Sequence, residues 1–317
     1  MAHFEIKAMK SIDRRSFLGS ATAAVKLVAI GGTSLGTNFL MASGAALQAQ
    51  NTFCAFTKPL QSLSFDELAA TIARIGYDGV EIGIRRNGHV APDQVEVHLP
   101  RLVDSLHKQN LELTIMASDI TSMKQPHTAR VLRAAAQAGV RTYRLGYFSY
   151  DFSRPIPEQL TSFKSSLHDV INASNDLGLV PVYQNHSGSN MMGAPLWDLH
   201  ELIETYTPDQ VGVALDVGHM MVEGGLSWPV QYHLMRPHLR AVYVKDFVWK
   251  GHDVEWVPLG EGRVEPKVFT WLRESGFRGP ISLHVEYLEG LEGTQRVTRN
   301  VQAFERDLVT LRRLMAA

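Results

Sequence analysis

Side chains able to carry chemistry interrupt the apolar runs in the second half of this chain. YQNHSGS (residues 183–189) sets Gln184, Asn185 and His186 directly after the apolar run LVPV. ALDVGHM brings Asp216 and His219, VYVKDF brings Tyr243, Lys245 and Asp246, and ISLHVEY brings His284 and Glu286. Imidazole, carboxylate and ammonium groups move protons, and the first two also ligate metals. Buried charges without partners are too costly to keep, so these groups must satisfy one another, a metal or a substrate. Side chains alternate along a strand, so Gln184 shares a face with His186, Tyr243 with Lys245, and His284 with Glu286. One inward-facing set is therefore Gln184/His186, Asp216, Lys245 and His284/Glu286. The first half of the chain adds Glu81, Arg85, Arg86 and His89 around a second run, and Arg144 and Tyr147 around a fourth.

Elements that could hold these residues at one end of a fold follow from the pattern after Gln50. Short β-branched runs alternate with helical spacers. The predicted strands are residues 52–57, 78–84, 111–120, 141–148 and 179–184, followed by one each in VGVALDVGHM, LRAVYVKDF and PISLHVEY. Between them the spacing predicts helices near 64–76, 92–109, 128–139, 159–178, 196–206, 230–236 and 267–275, with a last one over 294–315. Gly76, Gly139, Gly178 and Gly276 each close a helix just before the next strand. Eight strands with helical crossovers predict an α/β protein folded as a single (β/α)8 TIM barrel, residues 50–317. The alternative is an open doubly wound sheet, but no glycine-rich phosphate loop follows the first strand. In a barrel of this kind the C-terminal ends of the strands carry the chemistry, and that is where the polar residues fall.

Composition narrows the classes further. The 317 residues carry a formal charge of −1, which provides no basic field for nucleic acid. Cys54 is alone, so no intrachain disulfide forms. SIDRRSFLGS pairs Arg14 with Arg15 ahead of a weakly apolar, small-residue stretch. Residues 1–49 read as a twin-arginine export signal, with cleavage between Ala45 and Gln50 and a periplasmic or secreted destination. The stretch is too polar for a stable membrane span.

DGVEIGI, YQNHSG, ALDVGHM, VYVKDF, PLGEG and GPISLHVEY together resemble the xylose-isomerase-like barrels of the sugar phosphate isomerase/epimerase superfamily. The resemblance runs over nearly all of the chain after the signal, and PLGEG and KDF are its most telling pieces. It implies a divalent cation (Mn, Mg or Zn) held by a Glu, an Asp, a His and a Glu from strands five to eight. Asp216 matches the Asp, and His219 the His that follows it and touches substrate. The first Glu position falls on Gln184 and the His position on Tyr243, while His284 and Glu286 both compete for the last. A mixed set of Asp216, His186, His284 and Glu286 remains as candidate metal ligands.

What the resemblance implies chemically is proton abstraction next to a sugar carbonyl, as an isomerase, epimerase or lyase/dehydratase. Glu286 or His186 would be the base, and Lys245 or His219 the acid or oxyanion partner. Gln184 cannot exchange protons, which disfavours a symmetric two-base epimerisation. Glu81, Arg86, His89, Arg144, Gln184, Asn185 and Trp249 are candidate substrate contacts. Two plainer readings stand beside these, with Glu81 in a scaffold salt bridge to Arg85 or Arg144, and Asp216 with His219 as a capping pair. The expected partner is a small carbohydrate, with no nucleic acid and no stable membrane insertion, and the chain could form a homo-oligomer. The alternative function is a metal-free carbohydrate-binding or accessory barrel.

Overall fold

A computed structural model describes residues 51–317 of the chain, so the export signal expected over residues 1–49 lies outside the described residues. Eight parallel strands close into a barrel: β1 (Phe53–Phe56), β2 (Gly79–Gly83), β3 (Glu112–Ala117), β4 (Thr142–Arg144), β5 (Val180–Gln184), β6 (Gly212–Asp216), β7 (Leu239–Val244) and β10 (Ile281–Leu283). The last strand, β10, pairs with both β7 and β1, which completes the circle. Two further strands, β8 (Asp246–Lys250) and β9 (Asp253–Val257), form an antiparallel hairpin above the barrel's C-terminal end. The (β/α)8 expectation is therefore met. Among the described residues no helix is long and apolar enough to cross a membrane.

The helices are α1 (Phe65–Ile75), α2 (Val95–His107), α3 (Thr128–Gln137), α4 (Ile156–Asn175), α5 (Trp197–Ile203), α6 (Val217–Gly224), α7 (Trp228–Met235), α8 (Lys267–Glu274) and α9 (Gly293–Ala316), and all but α6 form where the apolar spacing put them. Helix α1 shows how locally its ends are written. Ser64 and Glu67 form a reciprocal capping box at its start, and Gly76 takes the left-handed conformation at its end. Leu68, Ala69 and Ile72 point its buried face inward. Most of the apolar core lies in this layer between helices and strands. Inside the barrel is a smaller cluster of Cys54, Ile115, Val182, Ala214, Ala241 and Tyr243, so the interior is packed with side chains rather than open. Cys54 serves there as a small buried hydrophobe.

Two features depart from the expected pattern. Helix α6 starts directly where β6 ends, because Asp216 is both the last strand residue and the N-cap, accepting from the backbone N–H of His219. The expectation of a capping pair at Asp216 and His219 is thus met in its backbone half. The segment after β7 is also not a loop. Lys245 separates β7 from the β8–β9 hairpin, and Asp246 ties that hairpin down. Its carboxylate accepts the backbone N–H groups of Phe247, Gly260, Gly262 and Val264 at 2.9–3.0 Å. A side chain at position 262 would begin 2.2 Å from the Asp246 carboxylate, so glycine is required where PLGEG meets KDF.

Candidate active site

Asp216 organises the mouth of the barrel. It is fully buried at the end of β6, and Asn185 clamps its backbone from both sides, donating to its carbonyl and accepting its N–H. Asn185 therefore positions Asp216 rather than facing a substrate. The Asp216 carboxylate accepts from the His219 N–H at 3.0 Å and from the Gln184 amide at 2.9 Å. Tyr147 donates a short hydrogen bond to the other end of the Gln184 amide. This chain fixes which way Gln184 points, because reversing the amide would set its oxygen against the carboxylate.

Lys245 lies at the centre. Its side chain is 3% exposed, and its nitrogen is 2.6 Å from Glu286 Oε2, 2.7 Å from His219 Nε2 and 3.5 Å from Asp216 Oδ2. The Trp256 ring covers it at 4.2 Å and meets His219 edge-on at 5.0 Å. Room for the lysine stem comes from Gly218, where a Cβ would lie 3.0 Å from Lys245 Cγ and 3.3 Å from the Trp256 ring. Burial alone would discharge the ammonium, but Asp216 and Glu286 overcome it and raise its pKa. Burial likewise opposes the Glu286 carboxylate, and Lys245 outweighs that cost, bringing its pKa to about 2.

A charged Lys245 can only donate to His219, so Nε2 of that ring is an acceptor and its proton sits on Nδ1. Nδ1–H then donates to Ser187 Oγ at 2.7 Å, leaving the hydroxyl hydrogen of Ser187 free to point outward. His186 lies beside this chain, its ring 3.9 Å from that of His219. Its Nδ1–H donates to the carbonyl of Ser187 at 2.8 Å, which leaves the Nε2 lone pair available. Burial first, and then Lys245, lower the pKa of His186, and the same two causes hold His219 well below the usual histidine range. The mouth thus presents a neutral imidazole acceptor next to a charged ammonium donor.

A second polar layer lies against β1, β2 and β10. Glu81, fully buried, accepts from Ser282 at 2.7 Å and bonds His284 at 3.0 Å, with Arg144 at 4.0 Å. His284 is packed between the rings of Phe56 and Tyr243. Burial works against the Glu81 carboxylate, yet His284 and Arg144 bring its pKa below normal. This is the scaffold reading of Glu81, with Arg144 as partner. Glu286 also reaches a cavity of about 300 Å³ lined by Phe56, Lys58, Leu288, Arg296 and Asn300, at the small end of ligand-site volumes.

The expected residues are thus sorted by the fold. His186, Gln184, Asp216, His219, Lys245 and Glu286 come together, while Glu81, Arg144 and His284 form the layer beside them. His89 is packed near Arg85 with both ring nitrogens buried and unpartnered, and burial with that arginine lowers its pKa to about 4. Two expected contacts fall outside. Arg86 is exposed and lines a separate cavity near Asp119 and His127. Trp249 is 42% exposed near the hairpin tip, and the indole over the site belongs instead to Trp256, which pairs with the buried Phe247. Tyr147, Ser187, Gly218 and Trp256 complete the arrangement, and Ser187 was within reach of reading as the next polar residue of YQNHSGS.

The candidate metal set Asp216, His186, His284 and Glu286 is not assembled. Among the described residues no three His, Cys, Asp or Glu side chains are placed to hold a metal ion. The reason lies in the donors: His284 is bound to Glu81, and Asp216 and Glu286 are bound to an ammonium. Gln184 turns its N–H, not its oxygen, toward Asp216. These residues do not fit a divalent cation.

The family described as xylose isomerase-like TIM barrel matches residues 69–307. Among solved structures, the chain is similar to the probable 3-DHS dehydratase AsbF, involved in petrobactin synthesis, from Bacillus anthracis. That pair superposes with a TM-score of 0.64 at 13% identity, over 82% of this chain and 98% of the other. A D-psicose 3-epimerase gives 0.62 at 15% identity over 84% and 100%. The 3-keto-D-glucoside 4-epimerase YcjR of E. coli gives 0.61 at 15% identity over 81% and 99%. At these identities the likeness shows the fold. No curated protein matches the sequence.

Proposed function

The chain belongs to the xylose isomerase-like TIM barrel family, and on that premise we propose that it is an enzyme that moves a proton next to the carbonyl of a small carbohydrate. The observation that carries this reading is the pairing of a free imidazole lone pair on His186 with the charged Lys245 at the barrel mouth. Abstraction of a proton beside a carbonyl needs a base on carbon and a positive donor on oxygen. His186 Nε2 takes the proton. The carbonyl oxygen gains negative charge and is met by the Lys245 ammonium, which Asp216 and Glu286 hold in its charged form. Ser187, fed by His219, has a hydroxyl hydrogen to offer a leaving or neighbouring oxygen.

Between the two base candidates the electrostatics favour His186. A carboxylate with a pKa of about 2 that is bound to an ammonium is a weak proton acceptor, so Glu286 acts by holding Lys245. With Gln184 unable to serve on the opposite face, the site has one base. This supports elimination or ketose–aldose isomerisation more than epimerisation by two opposed carboxylates. The named relatives act on, or are named for, sugars and a dehydration, which supports the same substrate class.

Residues 1–49 further support export by the twin-arginine route to the periplasm or medium. Replacing Arg14 and Arg15 by lysine should retain the full chain in the cytoplasm. The reaction is tested by incubating the purified chain with a panel of free ketoses, 3-keto-glycosides and sugar acids, followed by NMR of the products. An isomerised or dehydrated product that disappears in Lys245→Met supports the reading. Binding of these sugars without any turnover would instead favour a carbohydrate-binding barrel.

A further inference from the structure

The buried carboxylate of Asp216, the half-buried one of Glu286 and an imidazole converge on one point at the barrel mouth, and a lysine nitrogen stands there. We infer that Lys245 is the resident cation of this site, filling the position a divalent metal would need, so that the wild-type chain takes up no metal there. Most of the lone pairs around it are committed, that of His186 Nε2 excepted. Asp216 Oδ1 accepts from the His219 N–H, and Oδ2 accepts from Gln184 and faces Lys245. Gln184 Oε1 is closed by Tyr147, and His219 Nε2 is closed by Lys245 itself. The separations of 2.6–3.5 Å from nitrogen to its partners suit an ammonium, whereas metal–oxygen bonds are near 2.0–2.2 Å.

The surroundings are shaped for a lysine. Gly218 leaves space for the stem, and a Cβ there would press on both the stem and the Trp256 ring. Trp256 presents its face to the nitrogen at 4.2 Å, an attraction that favours an organic cation over a hydrated ion. A divalent ion entering beside the ammonium would meet like charge, and it would have to break the bonds to Glu286 and His219. The inference rests on this donor set and not on which reaction the site performs.

The test uses Mn²⁺ alone with the full chain, freed of metal by chelation, read by titration calorimetry, electron paramagnetic resonance and the thermal midpoint. Wild type is expected to bind no Mn²⁺ at this site and to keep its midpoint when Mn²⁺ is added. Removing the ammonium and restoring a third carboxylate, in Lys245→Ala with Gln184→Glu, should create a site for one Mn²⁺ at least 100-fold tighter than anything in wild type. Gln184→Glu alone leaves the lysine in place and should bind none. One equivalent of tightly bound Mn²⁺ on wild type, lost in Asp216→Asn, overturns the inference. So does a folded double variant that binds no Mn²⁺. The wild-type titration decides the matter even where the double variant fails to fold. A chain without sugar turnover leaves the titration intact, so failure of the proposed reaction is distinguishable.

Discussion

Replacing Lys245 by methionine removes a charge on which two carboxylates depend, and the structure allows the cost to be worked out. Against the opposing effect of burial, Lys245 first and His284 second hold the Glu286 pKa at about 2. Against an unfolded value near 4.3, that depression of about 2.3 pH units corresponds to roughly 3 kcal/mol at about 1.4 kcal/mol per pH unit. The Glu286 side chain is 19% exposed, so solvent screens only part of the interaction. The sign follows from linkage: a carboxyl with a depressed folded pKa stabilises above its unfolded value near 4.3 and loses that contribution as pH falls toward 2. At pH 7 the full effect is present. Urea unfolding of Lys245→Met should therefore show a loss of about 3 kcal/mol, within the range for breaking a buried ion pair. Adding Glu286→Gln to that variant removes the stranded charge and should cost little more or restore stability, giving a coupling near 3 kcal/mol at pH 7 that vanishes near pH 2. A coupling below about 0.5 kcal/mol at pH 7 would refute the reasoning, because that is the scale of exposed pairs.

Other outcomes follow from the same contacts. Asp246→Ala removes the acceptor of the backbone N–H groups at Gly260, Gly262 and Val264, of which that of Val264 is buried, and should cost about 2–3 kcal/mol, with faster hydrogen exchange at those amides. His89 is held near pKa 4, against 6.5 in the unfolded chain, so stability present above pH 6.5 should fall by up to about 3 kcal/mol as pH drops to 4. In His89→Leu the thermal midpoint should vary less with pH across that interval. Gly218→Ala should leave the fold intact but reduce turnover by about tenfold or more, as Lys245 is pushed from its seat, a difference visible as unchanged circular dichroism with reduced kcat.

The barrel was legible because each buried strand is a short apolar run punctuated by glycine at the preceding helix end, as at Gly76 before β2 and Gly178 before β5. Helix α6 escaped because VGHMMVEG follows its strand without a break, and its N-cap is the strand's own last residue. The β8–β9 hairpin escaped because its partners, Phe247 with Trp256, are set by the Asp246 anchor some 10–20 positions away in the turn at 260–264. That missed hairpin explains the choice of Trp249 over Trp256. Residue alternation placed His186, Asp216, Lys245 and Glu286 at one rim. It could not show that the Lys245 nitrogen would reach Glu286, His219 and Asp216 at once, because that depends on side-chain length and on the space left at Gly218.

Proton transfer itself gives the most direct test. Solvent deuterium entering the position beside the carbonyl of a turned-over keto-sugar, followed by proton NMR, reports the abstraction step without reference to the final product. Wild type should exchange that hydrogen with or without chelator, and His186→Gln should be slower by 10²–10⁴-fold, the range for loss of a positioned base. Turnover by wild type with no deuterium incorporated, or exchange in His186→Gln at the wild-type rate, would contradict the assignment of His186 as the base.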